Sequence, residues 1–247
     1  MKYALLPFLA LCLLTLPSLA QPTAEDVLRK SIAYHDPDGK WLDLRHHMTL
    51  RETRPSGNDR FTTLILDNTT GGFSYRSARE GRLVEATLRD GACTATIDGS
   101  DVVPDSLVER YRLSCEGIAW WQAYYGYMHA LPMNLTDSGT HLDPDVQTTT
   151  FMDREVYALR VTYDAEVGSD TWYFYIDPTT YALTGCRFYH DESANDGEYI
   201  VFEGEMEHNG IRLPKTLKWY INKDGEFLGA DIMEAYETDE GEQETGG

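Results

Sequence analysis

The sequence predicts a mostly β fold of the α+β kind: one large curved antiparallel sheet, or an unclosed half-barrel, covered by an N-terminal helix and a central aromatic helix. Three observations predict it. Alternating apolar and polar runs recur about every ten residues through both halves of the chain, the period of half-buried strands. Asn209-Gly210 and Asp224-Gly225 are hairpin signals, because tight hairpin turns need residues that tolerate positive φ. Helical character is confined to the start of the mature region and to the middle of the chain. A wide open sheet has to close or be covered, and those helices are the covers available.

The elements follow in order. Thr23 is a good helix N-cap with Asp26 three residues on, and Val27, Leu28 and Ile32 give the helix its apolar side before Asp36-Pro37-Asp38-Gly39 turns the chain. From Trp41 the period becomes two: Leu42, Leu44, His46, Met48 and Leu50 alternate with polar residues. Phe61 to Leu66 and Leu83 to Leu88 continue the antiparallel series, and Cys93 to Ile97 is strand-like. A short helix from Asp105 or Ser106 to Tyr111 precedes the aromatic segment Ile118 to Met128. At helical spacing that segment carries two stripes, Ile118-Trp121-Tyr125-Met128 and Trp120-Tyr124-Tyr127-Leu131, and Pro132 ends it. The second half returns to strands: Val156 to Tyr163, Trp172 to Ile176, Tyr181 to Tyr189, Tyr199 to Met206, Leu217 to Ile221 and Phe227 to Met233.

Residues 1–20 read as a signal peptide. Lys2 is the positive start, Ala4 to Leu16 the apolar stretch, and Ser18-Leu19-Ala20 the small-x-small cleavage site. The stretch is short for a span and broken by Pro7 and Pro17, and Leu11 stands where lipid attachment at Cys12 needs a small residue. The expected product is exported, periplasmic or secreted, with one domain over 21–236 and an acidic disordered tail over 237–247. The formal net charge of −20 repels phosphate backbones and anionic surfaces, which disfavours nucleic acid as a partner. Three cysteines remain after cleavage. An oxidising compartment favours a Cys93–Cys115 disulfide with Cys186 as the odd, buried thiol, although the sequence permits the other two pairings.

Ser31-Ile32-Ala33-Tyr34-His35-Asp36-Pro37-Asp38-Gly39, Tyr163-Asp164 with Asp170 to Tyr175, and Phe188 to Ser193 with Asn195 to Tyr199 resemble a family of exported bacterial proteins with no assigned activity. The resemblance runs from Thr23 to Asp231. At the level of element order the chain also resembles, more distantly, the LolA-like periplasmic lipoprotein carriers and sorting factors. That likeness implies an unclosed antiparallel barrel whose helices cover an apolar cavity for acyl chains; fold alone does not assign function.

The chemistry-bearing residues divide three readings. A metal-assisted enzyme would use His35, Asp36, His190 and Asp191, with Asp38 and Glu192 nearby, because imidazole and carboxylate suit zinc or iron. Against it, His35 to Gly39 is ordinary turn chemistry at a helix end, and no H-E-x-x-H spacing fixes two ligands on one face. His46 and His47, adjacent on a strand, point to opposite faces. C-x-x-C, G-x-S-x-G and a phosphate-loop pattern are all missing from the sequence, so no cofactor is expected. The aromatic residues Trp120, Trp121, Tyr124, Tyr125, Trp172, Phe174, Phe188 and Trp219 form the candidate ligand-binding set, as the lining of a half-barrel cavity for an acyl chain or lipid-like molecule. The leading reading is therefore a non-enzymatic binding or carrier protein. The metal-assisted enzyme is the alternative, and an envelope structural or interaction module the third.

Overall fold

The structure, a computed structural model, describes residues 21–240. The expected signal peptide lies outside the described residues, as do residues 241–247. Among the described residues thirteen strands form one antiparallel sheet that does not close. Helix α1 (Ala24–His35) starts at Thr23, whose hydroxyl accepts from the Asp26 N–H at 3.2 Å. A five-strand meander follows: β1 (Leu44–Thr53), β2 (Arg60–Asp67), β3 (Gly72–Arg79), β4 (Arg82–Arg89) and β5 (Ala92–Ile97). Helices α2 (Asp105–Tyr111) and α3 (Cys115–His129) then lead to the second run: β6 (Thr140–Leu142), β7 (Gln147–Phe151), β8 (Arg154–Tyr163), β9 (Thr171–Ile176), β10 (Leu183–Tyr189), β11 (Glu198–His208), β12 (Ile211–Ile221) and β13 (Phe227–Glu240).

The spatial order β5-β4-β3-β2-β1-β13-β12-β11-β10-β9-β8-β6 joins the two runs through a β1–β13 pair, while β7 also pairs with β8. Leu44, His46, Met48, Leu50 and Glu52 alternate inward along β1, as the two-residue period requires. His46 is buried and His47 is not. The inner face and the helices enclose two apolar clusters. One joins β1 to β5 with α2 and one side of α3. The other joins α1, Met128, Leu131 and Leu135 to the second run, with Leu159, Phe174, Ile176 and Ile200 at its centre.

Two expectations are corrected, and two strands appear that the pattern left unassigned. Leu42 belongs to a 3-10 turn (Trp41–Asp43) and is 68% exposed, because the strand starts only at Leu44. Residues 237–240 are strand: Glu237 pairs with His47 and Glu240 with Leu44, so β1 supplies the backbone partners that an acidic sequence by itself does not reveal. Strands β3 and β7 carry too many serine, threonine and arginine residues to stand out by period, and their neighbours define them. A Cys93–Cys115 disulfide ties β5 to the first residue of α3, and Cys186 is buried on β10 as a free thiol. Among the described residues no helix is long and apolar enough to cross a membrane.

Candidate functional site

Helix α3 organises the site because its two aromatic stripes face different surroundings. Ser114 caps it, its hydroxyl accepting from the Gly117 N–H at 3.1 Å. The stripe Ile118-Trp121-Tyr125-Met128 is buried against the sheet. Trp121 stacks on Tyr75 of β3 at 5.7 Å and donates its indole N–H to the Tyr111 carbonyl at 3.2 Å. The Tyr125 hydroxyl donates to the Glu52 carboxylate at 3.1 Å. Glu52 is itself buried and is held by the Arg60 guanidinium on two sides and by the Thr62 hydroxyl at 2.5 Å. A buried carboxylate has to be paired and hydrogen-bonded, and this network makes the register of α3 on the sheet specific.

The other stripe, Trp120, Tyr124 and Tyr127, faces an open groove of about 740 Å³ between α3 and the inner face of β8 to β12. Trp120 stacks on Tyr124 at 5.5 Å, and Tyr124 on Trp219 of β12 at 6.4 Å. Tyr127 packs on Trp172 of β9 at 5.3 Å, and Trp172 on Phe188 of β10 at 4.8 Å. The Tyr127 and Tyr163 hydroxyls share a hydrogen bond at 2.7 Å, closing one side. Burial holds the Tyr124 and Tyr127 hydroxyls well above the usual phenol range, so both stay neutral.

The polar part of the lining is small. Asp170, just before β9, accepts from the His190 ring at 2.7 Å, and that bond, with Asp196 and Glu198 nearby, raises the imidazole's pKa. Glu198 opens β11 and is half-buried in the groove wall, where burial pushes its carboxyl up. Behind the lining, the Trp219 indole donates to Asp231 at 2.9 Å, and Arg54 reaches the same carboxylate at 3.3 Å. Gly229 makes room for that arginine: it stands opposite Trp219 with φ +148, and a side chain there would collide with the Thr53 carbonyl and the Arg54 side chain.

Of the eight aromatic residues marked in the sequence, Trp120, Tyr124, Trp172, Phe188 and Trp219 come together in the groove. Trp121, Tyr125 and Phe174 do not: they are buried in the core, the first two beneath α3 and Phe174 between the sheet and α1. The reason is rotational. Helical period separates two stripes, and only the sheet decides which one turns inward. Tyr127, Tyr163 and Glu198 belong to the lining and were not marked. Tyr127 had a signal in the stripe it shares with Trp120 and Tyr124, while Glu198 had none.

The residues of the enzyme reading do not meet. His35 is buried in the last turn of α1, where Nδ1 donates to the Arg212 carbonyl at 2.7 Å and Nε2 accepts from the Leu183 N–H at 3.0 Å. Burial keeps it neutral, and neither nitrogen is left for a ligand. Asp36 caps the Lys40 and Trp41 amides at 2.8 Å. Asp191 holds its own turn through the Ser193 amide and hydroxyl, and Asp38 pairs with Lys40 at 2.8 Å. His35 and His190 border separate depressions. Among the described residues no three His, Cys, Asp or Glu side chains are grouped to hold a metal.

Residues 4–234 match the profile of a family of unknown function, DUF6503. No curated protein matches the sequence at a significant level. Solved structures share the fold, two of them with TM-scores above 0.5. A LolA superfamily protein from Nitrosomonas europaea superposes with a TM-score of 0.52 at 13% identity, covering 87% of this chain and 93% of its own. A Vibrio parahaemolyticus domain assigned to outer membrane lipoprotein sorting gives 0.51 at 12% identity, covering 90% and 95%. The chain therefore has a LolA-like fold, an unclosed antiparallel sheet with helices packed against one face.

Proposed function

The chain belongs to DUF6503, the family of unknown function, and within it we propose that the protein is an exported, non-enzymatic carrier that holds a hydrophobic ligand. The observation that carries this reading is the aromatic groove between α3 and strands β8 to β12. Its volume, about 740 Å³, lies in the range of ligand sites, and its lining is mostly aromatic with few polar groups. A flexible acyl chain suits such a lining, because its affinity comes from apolar area and asks for no precise hydrogen-bond partner. Trp120 supports the same reading. It is a large apolar side chain left 43% exposed at the groove edge, where it adds little to the core. The name of the Vibrio parahaemolyticus neighbour points to outer membrane lipoprotein sorting for that protein, and an acyl-bearing cargo is the corresponding reading for this chain.

The test is native mass spectrometry of the protein purified from its own host, followed by organic extraction of the same sample. A co-purifying apolar mass that is lost on denaturation supports the carrier and gives its cargo class. A bare polypeptide mass, together with no measurable binding of a nonionic dodecyl amphiphile, sinks the reading.

A further inference from the structure

The groove is charged in an uneven way. Its lining residues include Asp170, His190 and Glu198, and no lysine or arginine. Asp170 is occupied by His190; of the arginines around the groove, Arg54 is occupied by Asp231 behind Trp219, and Arg112 lies over the Trp120 ring at 4.3 Å. Glu198 is the carboxylate left over: it is half-buried, among the described residues it makes no salt bridge, and the two cations near it, His190 and Arg54, are paired with Asp170 and Asp231. Its position is set by register. Across β9, β10 and β11 the paired residues are Trp172, Phe188 and Glu198, so the carboxylate stands in one row with two aromatic rings on the groove face. The His190 ring packs edge-on against Phe188 at 5.4 Å but spends its charge on Asp170, so the aromatic wall still stands beside a carboxylate that no salt bridge neutralises, an arrangement that attracts an organic cation through the negative faces of the rings and the charge itself. The same arrangement, on a chain of formal charge −20, repels an anionic head group.

We propose that the ligand held in this groove is an amphiphile with an ammonium head: its apolar chain lies along Trp120, Tyr124 and Trp172, and its cationic head sits against Phe188 beside the Glu198 carboxylate. This rests on the carrier reading and adds the class of head group to it. Fatty acids and singly anionic lipids are disfavoured as cargo.

Three amphiphiles with the same dodecyl chain separate the two ideas: dodecyltrimethylammonium, dodecyl maltoside and dodecyl sulfate. Each is titrated below its critical micelle concentration into the whole mature protein at fixed ionic strength, with tryptophan fluorescence as the readout. The expected order is cation, then nonionic, then anion, with the cation about tenfold tighter than the nonionic. In Glu198→Gln that ratio should fall to within about twofold of unity, and in Glu198→Asp a preference should remain. Equal wild-type affinities for cation and nonionic overturn the head-group proposal and leave the carrier standing. A preference that survives Glu198→Gln also overturns it, because the net charge of the chain would then be its source. Failure of the nonionic to bind removes the carrier reading and the head-group proposal together.

Discussion

His129 closes α3 with its ring buried beneath the helix, stacked on Tyr125 at 6.4 Å, and its Nδ1 has no hydrogen-bond partner. Burial holds its pKa down at about 4, against an ordinary imidazole value of 6.5, with Glu52 pulling weakly upward. Between those two values the unfolded chain binds a proton that the folded chain refuses. Stability is therefore complete above pH 6.5 and is lost as the pH falls toward 4. From pH 7 to pH 4.5 the linkage integral for this single group is about 2 kcal/mol. The perturbation is His129→Leu, which removes the titration and an unpartnered polar atom while leaving an apolar side chain in place. Urea unfolding followed by tryptophan fluorescence gives the stability difference between the two proteins at pH 7, which holds the packing change and the removed polar atom but almost none of the titration. At pH 4.5 that difference should have moved by about 2 kcal/mol in favour of the variant. His35 and His46 are lowered by burial too, but they titrate in both proteins and cancel in the difference. Parallel pH profiles for wild type and variant would refute the reasoning, since they would mean that the His129 imidazole is protonated or solvated in the native state.

The remaining predictions concern what holds α3 in place. Trp121→Ala should cost about 3–5 kcal/mol in urea unfolding, and Trp120→Ala less than about 1 kcal/mol, because one ring is in the core and the other at the groove edge. Comparable costs would contradict the assignment of the two stripes. Arg60→Ala leaves the Glu52 carboxylate buried without its cation and should cost about 3–5 kcal/mol, whereas Tyr125→Phe, which removes one hydrogen bond, should cost about 1 kcal/mol in the same measurement. Replacing both Cys93 and Cys115 by alanine opens a loop with a sequence separation of 22 and should lower stability by about 3 kcal/mol. A thiol assay on the mature wild-type protein should detect Cys186 only after unfolding, because burial both hides the thiol and raises its pKa.

Much of this molecule was settled by short-range pattern. The period-two runs marked most of the strands, Thr23 with Val27, Leu28 and Ile32 marked α1, and a strand-like run before the start of an aromatic helix favoured the Cys93–Cys115 pairing without excluding the other two. Such features are legible because burial and turn chemistry act on residues a few positions apart. What stayed hidden depends on partners far along the chain. The continuation of β13 to Glu240 exists because β1, almost two hundred residues earlier, offers its edge. The sequence drew both stripes of α3 but could not tell them apart, and the Glu52–Arg60 network together with Tyr75 turned Trp121 and Tyr125 inward and left Trp120, Tyr124 and Tyr127 to the groove. Glu198 was invisible for a similar reason. A glutamate at the head of a strand reads as solvated surface until the register of β9, β10 and β11 sets it beside Phe188 and Trp172. Periodicity determines that a residue has an inner or an outer face, and only the packing of distant elements determines what that face meets.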